Sequence, residues 1–380
     1  RDYKVDFISA LGEIKYDLKV NDKVQITPKL NYKRTKSYYA YQEPAENEAP
    51  VYMAAIYKDR SVDRYSGNVN VSYNQSENLN LISGFQFYQD IAQDHLDDED
   101  RVFWNEKKKI SYNNIGVYAQ ALIKSKIANV TIGARMDYHS QFGEAFAPRI
   151  AITKVVDGLH AKLLFSQAYR SPGIENIDLS AYLNPPEYEP NIKPEKMNVA
   201  ELEIGKRFAQ NMFVSLNTFY MKLNDPIVYY FDEFGNEGYK NVEQTGTYGC
   251  EVQYQWKENW GFINTNYSFY SAKGINKTPD FETEENGTAL LAAPQHKFTF
   301  TGSVNITKKM SVTPSFIILG KRYGYKRYDP ENDNMELVSF DPVFMANIYL
   351  NYRNLLVDGL NVGIGIFDML NSDYSYIQPY

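Results

Sequence analysis

The sequence predicts an all-β protein, a transmembrane antiparallel up-and-down β-barrel, on three observations. Apolar and polar residues alternate with a period of two over windows longer than the strands of soluble domains. Short turns alternate with long connections along the chain. The 380 residues carry 33 Tyr, 21 Phe and 3 Trp, yet no apolar run approaches the roughly 20 residues that a membrane-spanning helix needs. The longest such run is 51–57. Alternating strands dilute any windowed hydropathy, so a polar average is compatible with a barrel. With 47 acidic against 40 basic side chains the formal charge is −7, which argues against nucleic acid as a partner. Cys250 is the single cysteine, so neither an internal disulfide framework nor a cysteine metal site is available.

Val130, Ile132, Ala134, Met136 and Tyr138 share one face, opposed by Thr131, Gly133, Arg135 and Asp137. Phe298, Phe300, Gly302, Val304 and Ile306 alternate with Thr299, Thr301, Ser303 and Asn305, and Tyr248, Cys250, Val252, Tyr254 and Trp256 repeat the pattern. Strands of about 10 to 13 residues suit a hydrocarbon core crossed at about 45°. Short turns fall near 20–23, 74–78, 125–126, 156–158, 209–211, 257–259, 307–309 and 354–359. Long connections occupy 36–60, 90–110, 171–197, 224–244, 271–293 and 321–341. Short turns on one rim and long loops on the other mark an outer-membrane barrel.

Cutting at this punctuation predicts about 16 strands: 5–19, 24–36, 61–74, 79–90, 111–124, 127–139, 146–155, 159–170, 198–208, 212–223, 246–256, 262–271, 295–306, 310–320, 342–352 and 360–367. No segment shows competing helical periodicity. Trp256 and Trp260 flank one short turn, and Tyr16, Tyr32, Tyr73 and Tyr352 lie near others, as an interfacial girdle requires. Tyr is also simply a good strand former. If the short turns face the periplasm, the first strand descends and the last ascends, so both chain ends lie on the outer side. A barrel of this kind starts and ends in the periplasm, and the expectation is that an odd number of strands is missing at each end.

From Tyr169 onward the residues resemble a known family. Tyr169-Arg170-Ser171-Pro172 looks like an aromatic-Arg-x-Pro segment, Asn191-Ile192-Lys193-Pro194-Glu195 like Asn-x-Leu-Lys-Pro-Glu, and Glu203 and Gly205 fill the following Glu-x-Gly strand. Tyr239-Lys240-Asn241 with Gly249-Cys250-Glu251, and Asp368-Met369-Leu370-Asn371-Ser372-Asp373-Tyr374, resemble later segments; Asp368 stands where Asn is usual. Gly116 to Gln120 and Gly133 to Tyr138 look like family strands upstream. In order and spacing, residues 110–380 resemble the C-terminal half of TonB-dependent outer-membrane receptors, particularly of Bacteroidetes-like bacteria. The resemblance implies a barrel of 22 strands around a plug. It also implies that residues 1–380 are a partial barrel, with the plug, the TonB-contacting segment, the first strands and the last strand outside this chain.

The function so implied is uptake across the outer membrane of a Gram-negative bacterium. Long loops and lumen capture a scarce solute, such as an iron chelate, haem, cobalamin or glycan, and plug gating releases it inward. Expected partners are outer-membrane lipid, TonB through the missing N-terminal segment, a surface lipoprotein and the solute itself, with no cofactor. The alternatives are a structural or adhesive barrel that anchors partner proteins without transport, and a soluble carbohydrate-binding β protein.

No nucleophile elbow, zinc-protease, P-loop or dinucleotide motif is present, so no catalytic residue is expected. His95, His139, His160 and His296 are scattered. Asp90, Asp94, Asp97, Asp98, Glu99 and Asp100 offer oxygen ligands for Ca²⁺ but lack the spacing of a calcium loop, and charge runs in loops are usually solvated. No metal site is expected. Ligand contacts are assigned to the loop aromatics Trp104, Tyr182, Tyr188, Tyr229, Tyr230, Tyr323 and Tyr325, with Phe231 beside them; packing among themselves is the competing reading. Arg135, Asp137, Arg149, Glu203 and Glu251 are assigned to the lumen, contacting plug or solute, or pairing with one another.

Overall fold

The computed structural model describes residues 4–41, 60–95, 103–184, 187, 189–232, 236–283, 287–325 and 336–377. Contacts divide the chain into two units. The first comprises Arg1–Ile150, Gln167–Lys196 and Asp225–Val242; the second comprises Ala151–Ser166, Met197–Asn224 and Glu243–Tyr380.

In the first unit, strands Lys4–Lys15, Val24–Tyr41, Arg60–Ser76, Leu79–Asp94, Lys109–Ile123 and Asn129–His139 pair antiparallel, each with the next in the chain. In the second, Met212–Asn224, Gln244–Glu258, Gly261–Ser271, His296–Asn305, Met310–Leu319, Val343–Tyr352 and Val362–Ile366 form the same meander. Gly143–Val156, Leu159–Arg170 and Glu195–Phe208 complete the set, so every one of the 16 expected strands has its counterpart.

Alternation fixes which way each side chain points, because a slip of one residue would invert both faces. On Asn129–His139 the apolar set is turned out: Ile132 is 50% exposed and Met136 44%, while Asp137 between its neighbours is 2% exposed. Val117, Phe85 and Val252 are exposed in the same sense, the reverse of a water-soluble sandwich, whose apolar faces are hidden. Among the described residues, no helix is long and apolar enough to cross a membrane. Trp256 and Trp260 meet edge to face at 5.1 Å beside their short turn.

Two differences from expectation concern length and helix. Val24–Tyr41 has 18 residues and Leu79–Asp94 has 16. A tilted crossing uses about 9 to 11 residues, so these strands carry several residues beyond a bilayer on the long-loop side. The second difference lies in the 171–197 connection, read as loop, which contains the helix Ile174–Tyr182. Nine residues show too little periodicity to be legible, and a helix this short is marginal alone. Its amino end is closed by Asn176, whose Oδ1 accepts the Gly173 N–H at 2.9 Å, and Ile177 through Ala181 are buried. Two long connections also fold into hairpins, Ile227–Phe231 with Glu237–Asn241 and Arg322–Tyr325 with Leu337–Phe340.

Replacing Ile132 with Arg on the apolar face should cost about 2–4 kcal/mol of folding free energy in lipid vesicles, read from denaturant titration of the full-length protein. Thr131→Arg on the opposite face should cost under about 1 kcal/mol. Equal costs would contradict the assignment of faces.

Candidate functional site

Residues above the expected membrane crossing of the first unit build a packed cap. Phe103, Ile110, Tyr112, Ala92, Ile177 and Ile192 form its core, with Val62, Ile174, Ile227 and Tyr239 against it. The sequence joins these positions because Arg60–Ser76 and Leu79–Asp94 fold symmetrically about Glu77, so Arg60 faces Asp94 and Arg64 faces Asp90 in register. The Arg60 guanidinium donates to Asp94 at 3.0 Å and to Asp178 of the helix at 2.7 Å, and lies 4.3 Å from the Phe103 ring centroid. Asp178 also accepts the Trp104 backbone N–H at 2.8 Å. One buried carboxylate thus ties a helix, a strand end and the 103–108 turn together. Burying a charge is costly unless it is paired and hydrogen-bonded, and here each oxygen of Asp178 has a donor.

The motif residues perform a related task. Arg170 donates twice to Glu195, once at 2.8 Å, and Glu195 Oε1 also accepts the Ile227 N–H at 2.7 Å. Asn241 accepts the Lys193 N–H at 2.7 Å and donates to the carbonyls of Lys193 and Asp225 at 3.0 and 2.7 Å. The hairpin 227–241 is thereby stitched to the segment before Glu195.

Lower on the polar face, Arg135 donates to Asp137 at 2.6 Å and to Gln86 at 2.7 Å, and Asn114 donates to Asp137 at 2.9 Å. Gly116 pairs with Asp137 across the sheet, and a Cβ there would collide with the Arg135–Asp137 pair; a Cβ at Gly84 would strike the Tyr118 ring, whose hydroxyl bonds Asn70. Arg149 is exposed and has no ion-pair partner among the described residues. In the second unit Glu203 bonds His160 at 2.7 Å. Glu203 and Glu251 line a concavity of about 430 Å³ with Asn217, Gln253, Ser268 and Lys297.

The loop aromatics divide. Trp104 is partly buried, its indole 3.5 Å from the Tyr112 hydroxyl. Tyr182 leaves 39% of its surface and Tyr229 40% open, and Tyr229 packs edge to face on Tyr239 at 5.3 Å. Burial, then the charge of Asp178, pushes the Tyr182 phenol above its ordinary value. Tyr230 carries the Lys240 ammonium 2.9 Å above its ring centre. Tyr323, in the second unit, is 6% exposed, whereas Tyr325 is 41% exposed. Tyr188 and the Phe231 side chain lie outside the described residues. The acidic run is split: Asp90 and Asp94 are strand residues held by Arg64 and Arg60, while Asp97, Asp98, Glu99 and Asp100 lie outside the described residues. Among the described residues, no group of acidic, His or Cys side chains could hold a metal ion.

The residues that sequence reasoning missed are Arg60 and Asp178. Their separation of 118 positions hides the pair, although the symmetry of Arg60 and Arg64 against Asp94 and Asp90 about one short turn was legible in the sequence. Asp178→Ala should leave the buried Arg60 half-paired and cost about 3 kcal/mol. Amide exchange should quicken in 103–108 and 174–182 while the strands below stay protected; unchanged exchange in both segments would show that Asp178 does not hold the cap.

A family model for the TonB dependent receptor-like β-barrel matches residues 3–368. A search of curated proteins finds no match. Among solved structures, the fold is similar to a mutant of the ferric enterobactin receptor PfeA of Pseudomonas aeruginosa, at 14% identity and a TM-score of 0.72, covering 96% of this chain and 56% of that one. The siderophore receptor PirA of Acinetobacter baumannii, at 14% identity and a TM-score of 0.61, covers 97% and 67%. The FrpB iron transporter of Neisseria meningitidis, at 11% and 0.69, covers 96% and 60%. At these identities the likeness shows the fold, and the chain spans little more than half the length of the first of these proteins. By the family model over nearly its whole length, and by a meander whose apolar face is turned outward, the chain belongs to the TonB-dependent receptor-like β-barrel family.

Proposed function

We propose that the protein to which this chain belongs imports a scarce extracellular iron chelate across a Gram-negative outer membrane, with a TonB-driven plug gating its passage. The observation that carries this reading is the division of faces: exposed apolar rows for lipid, and a polar face that carries ion pairs and an open groove. Polar side chains on that scale are costly in a dry core and are accommodated in a barrel holding water or a plug. The similarity to siderophore and iron receptors favours an iron chelate over haem, cobalamin or a glycan.

Within this reading the partly open rings of Tyr182 and Tyr229, and the Tyr230–Lys240 pair, offer apolar area and a cation to the solute. Tyr325, and Tyr188 on the 171–197 connection, are assigned the same role. Trp104, partly buried against Tyr112, and Tyr323, buried, act by holding the loops in place. Arg149 and Glu251, neither in an ion pair among the described residues, contact plug or solute, while Arg135–Asp137 and Glu203–His160 brace the wall. Outer-membrane lipid, TonB and a surface lipoprotein are the corresponding partners.

The experiment is energised uptake of radiolabelled iron chelates by cells carrying the full-length protein. Uptake should be abolished by deleting its plug and TonB-contacting segment; unaffected uptake would refute the reading. Tyr182→Ala with Tyr229→Ala should weaken chelate binding about 10-fold, near 1.4 kcal/mol, without loss of folded protein.

A further inference from the structure

Arg322, at the start of the Arg322–Tyr325 strand, is 3% exposed, yet no carboxylate pairs with it among the described residues. Its Nη1 donates to the Ser375 carbonyl at 3.0 Å, and its guanidinium lies 4.6 Å from the Tyr374 ring centroid and 5.9 Å from that of Phe340. Its Nε is buried without a hydrogen-bond partner. Arg322 also lines a cavity of about 600 Å³ whose wall includes Ser339, Phe340, Asp341, Ser372 and Asp373.

A guanidinium withdrawn from water loses strong hydration, and the usual compensation is a carboxylate or phosphate bound along its donor edge. Among the described residues its hydrogen bond goes to a neutral carbonyl and its charge lies over two rings, none of which carries negative charge. Tyr374 and Phe340 flank the guanidinium, and no carboxylate among the described residues neutralises it. Asp341 and Asp373 are exposed and belong to the same wall. Their charges oppose entry of a polyanion and leave a solute with a single anionic group, especially one that also carries a cation, as the favoured occupant.

We propose that this cavity is a subsite for the carboxylate of a small zwitterionic solute, an amino acid or short peptide or the corresponding part of a larger chelate, held by Arg322 and oriented by Tyr374 and Phe340. The inference rests on the transport reading only in taking the solute to be extracellular; binding is measured without transport.

The test is calorimetric titration of the full-length protein in detergent with glycylglycine as probe and citrate as polyanionic control. Saturable one-to-one binding of glycylglycine is expected, weakened at least 10-fold by Arg322→Gln and less by Arg322→Lys, which keeps the charge but not the planar fork. Asp341→Asn with Asp373→Asn should strengthen citrate binding. Equal glycylglycine affinity in wild type and Arg322→Gln, no saturable binding in wild type, or citrate bound more tightly than glycylglycine would overturn the proposal. Should Arg322→Gln fail to fold, the comparison of wild type with Arg322→Lys and the citrate response decide it. Iron uptake lost while glycylglycine still binds would count against the transport reading alone.

Discussion

In hydrocarbon no water is at hand to satisfy a peptide group, so every N–H and C=O within the membrane must find its partner in the protein. The antiparallel ladders meet this constraint, and the period of two follows from it, because a laddered strand alternates its side chains between lipid and interior. Ile132, Met136, Val117 and Val252 are exposed for that reason. Their exposure in a water-soluble body would be a liability. Against lipid it is the ordinary state of an outward-facing side chain.

The same ladder explains where the candidate site lies. Strands longer than the bilayer continue past it, and once beyond lipid the faces no longer need to be apolar. There the Arg60–Asp94–Asp178 and Arg170–Glu195 networks appear, each joining segments far apart in sequence. Such networks add little net stability when exchanged for apolar packing, but removing one partner is costly. Their effect is to make loops into a cap with its own apolar core, so that partly open rings such as Tyr182 and Tyr229 are presented on a fixed support.

Most of the fold was legible in the sequence, because alternation and turn punctuation are local properties. The strand near 79–90 and the one near 24–36 run further than expected, to Asp94 and Tyr41, since nothing in a local pattern marks where lipid ends. The helix Ile174–Tyr182 was hidden for a different reason. It is held by Asp178 reaching Arg60, a contact that single-sequence periodicity does not contain. The motifs at Arg170, Glu195 and Asn241 marked the family, but their work as clasps between loops emerges only from geometry. Of the loop aromatics, sequence alone did not separate the partly buried Trp104 and the buried Tyr323 from the open Tyr229 and Tyr325.

The most direct measurement is spin-label accessibility on the full-length protein in lipid bilayers, in a Cys250→Ser background. Labels at Ile132→Cys and Val252→Cys should collide freely with oxygen dissolved in the acyl chains and be shielded from a water-soluble nickel chelate. Labels at Thr131→Cys and Gln253→Cys should show the reverse. Nickel access at all four positions would contradict the central claim that the apolar rows face lipid.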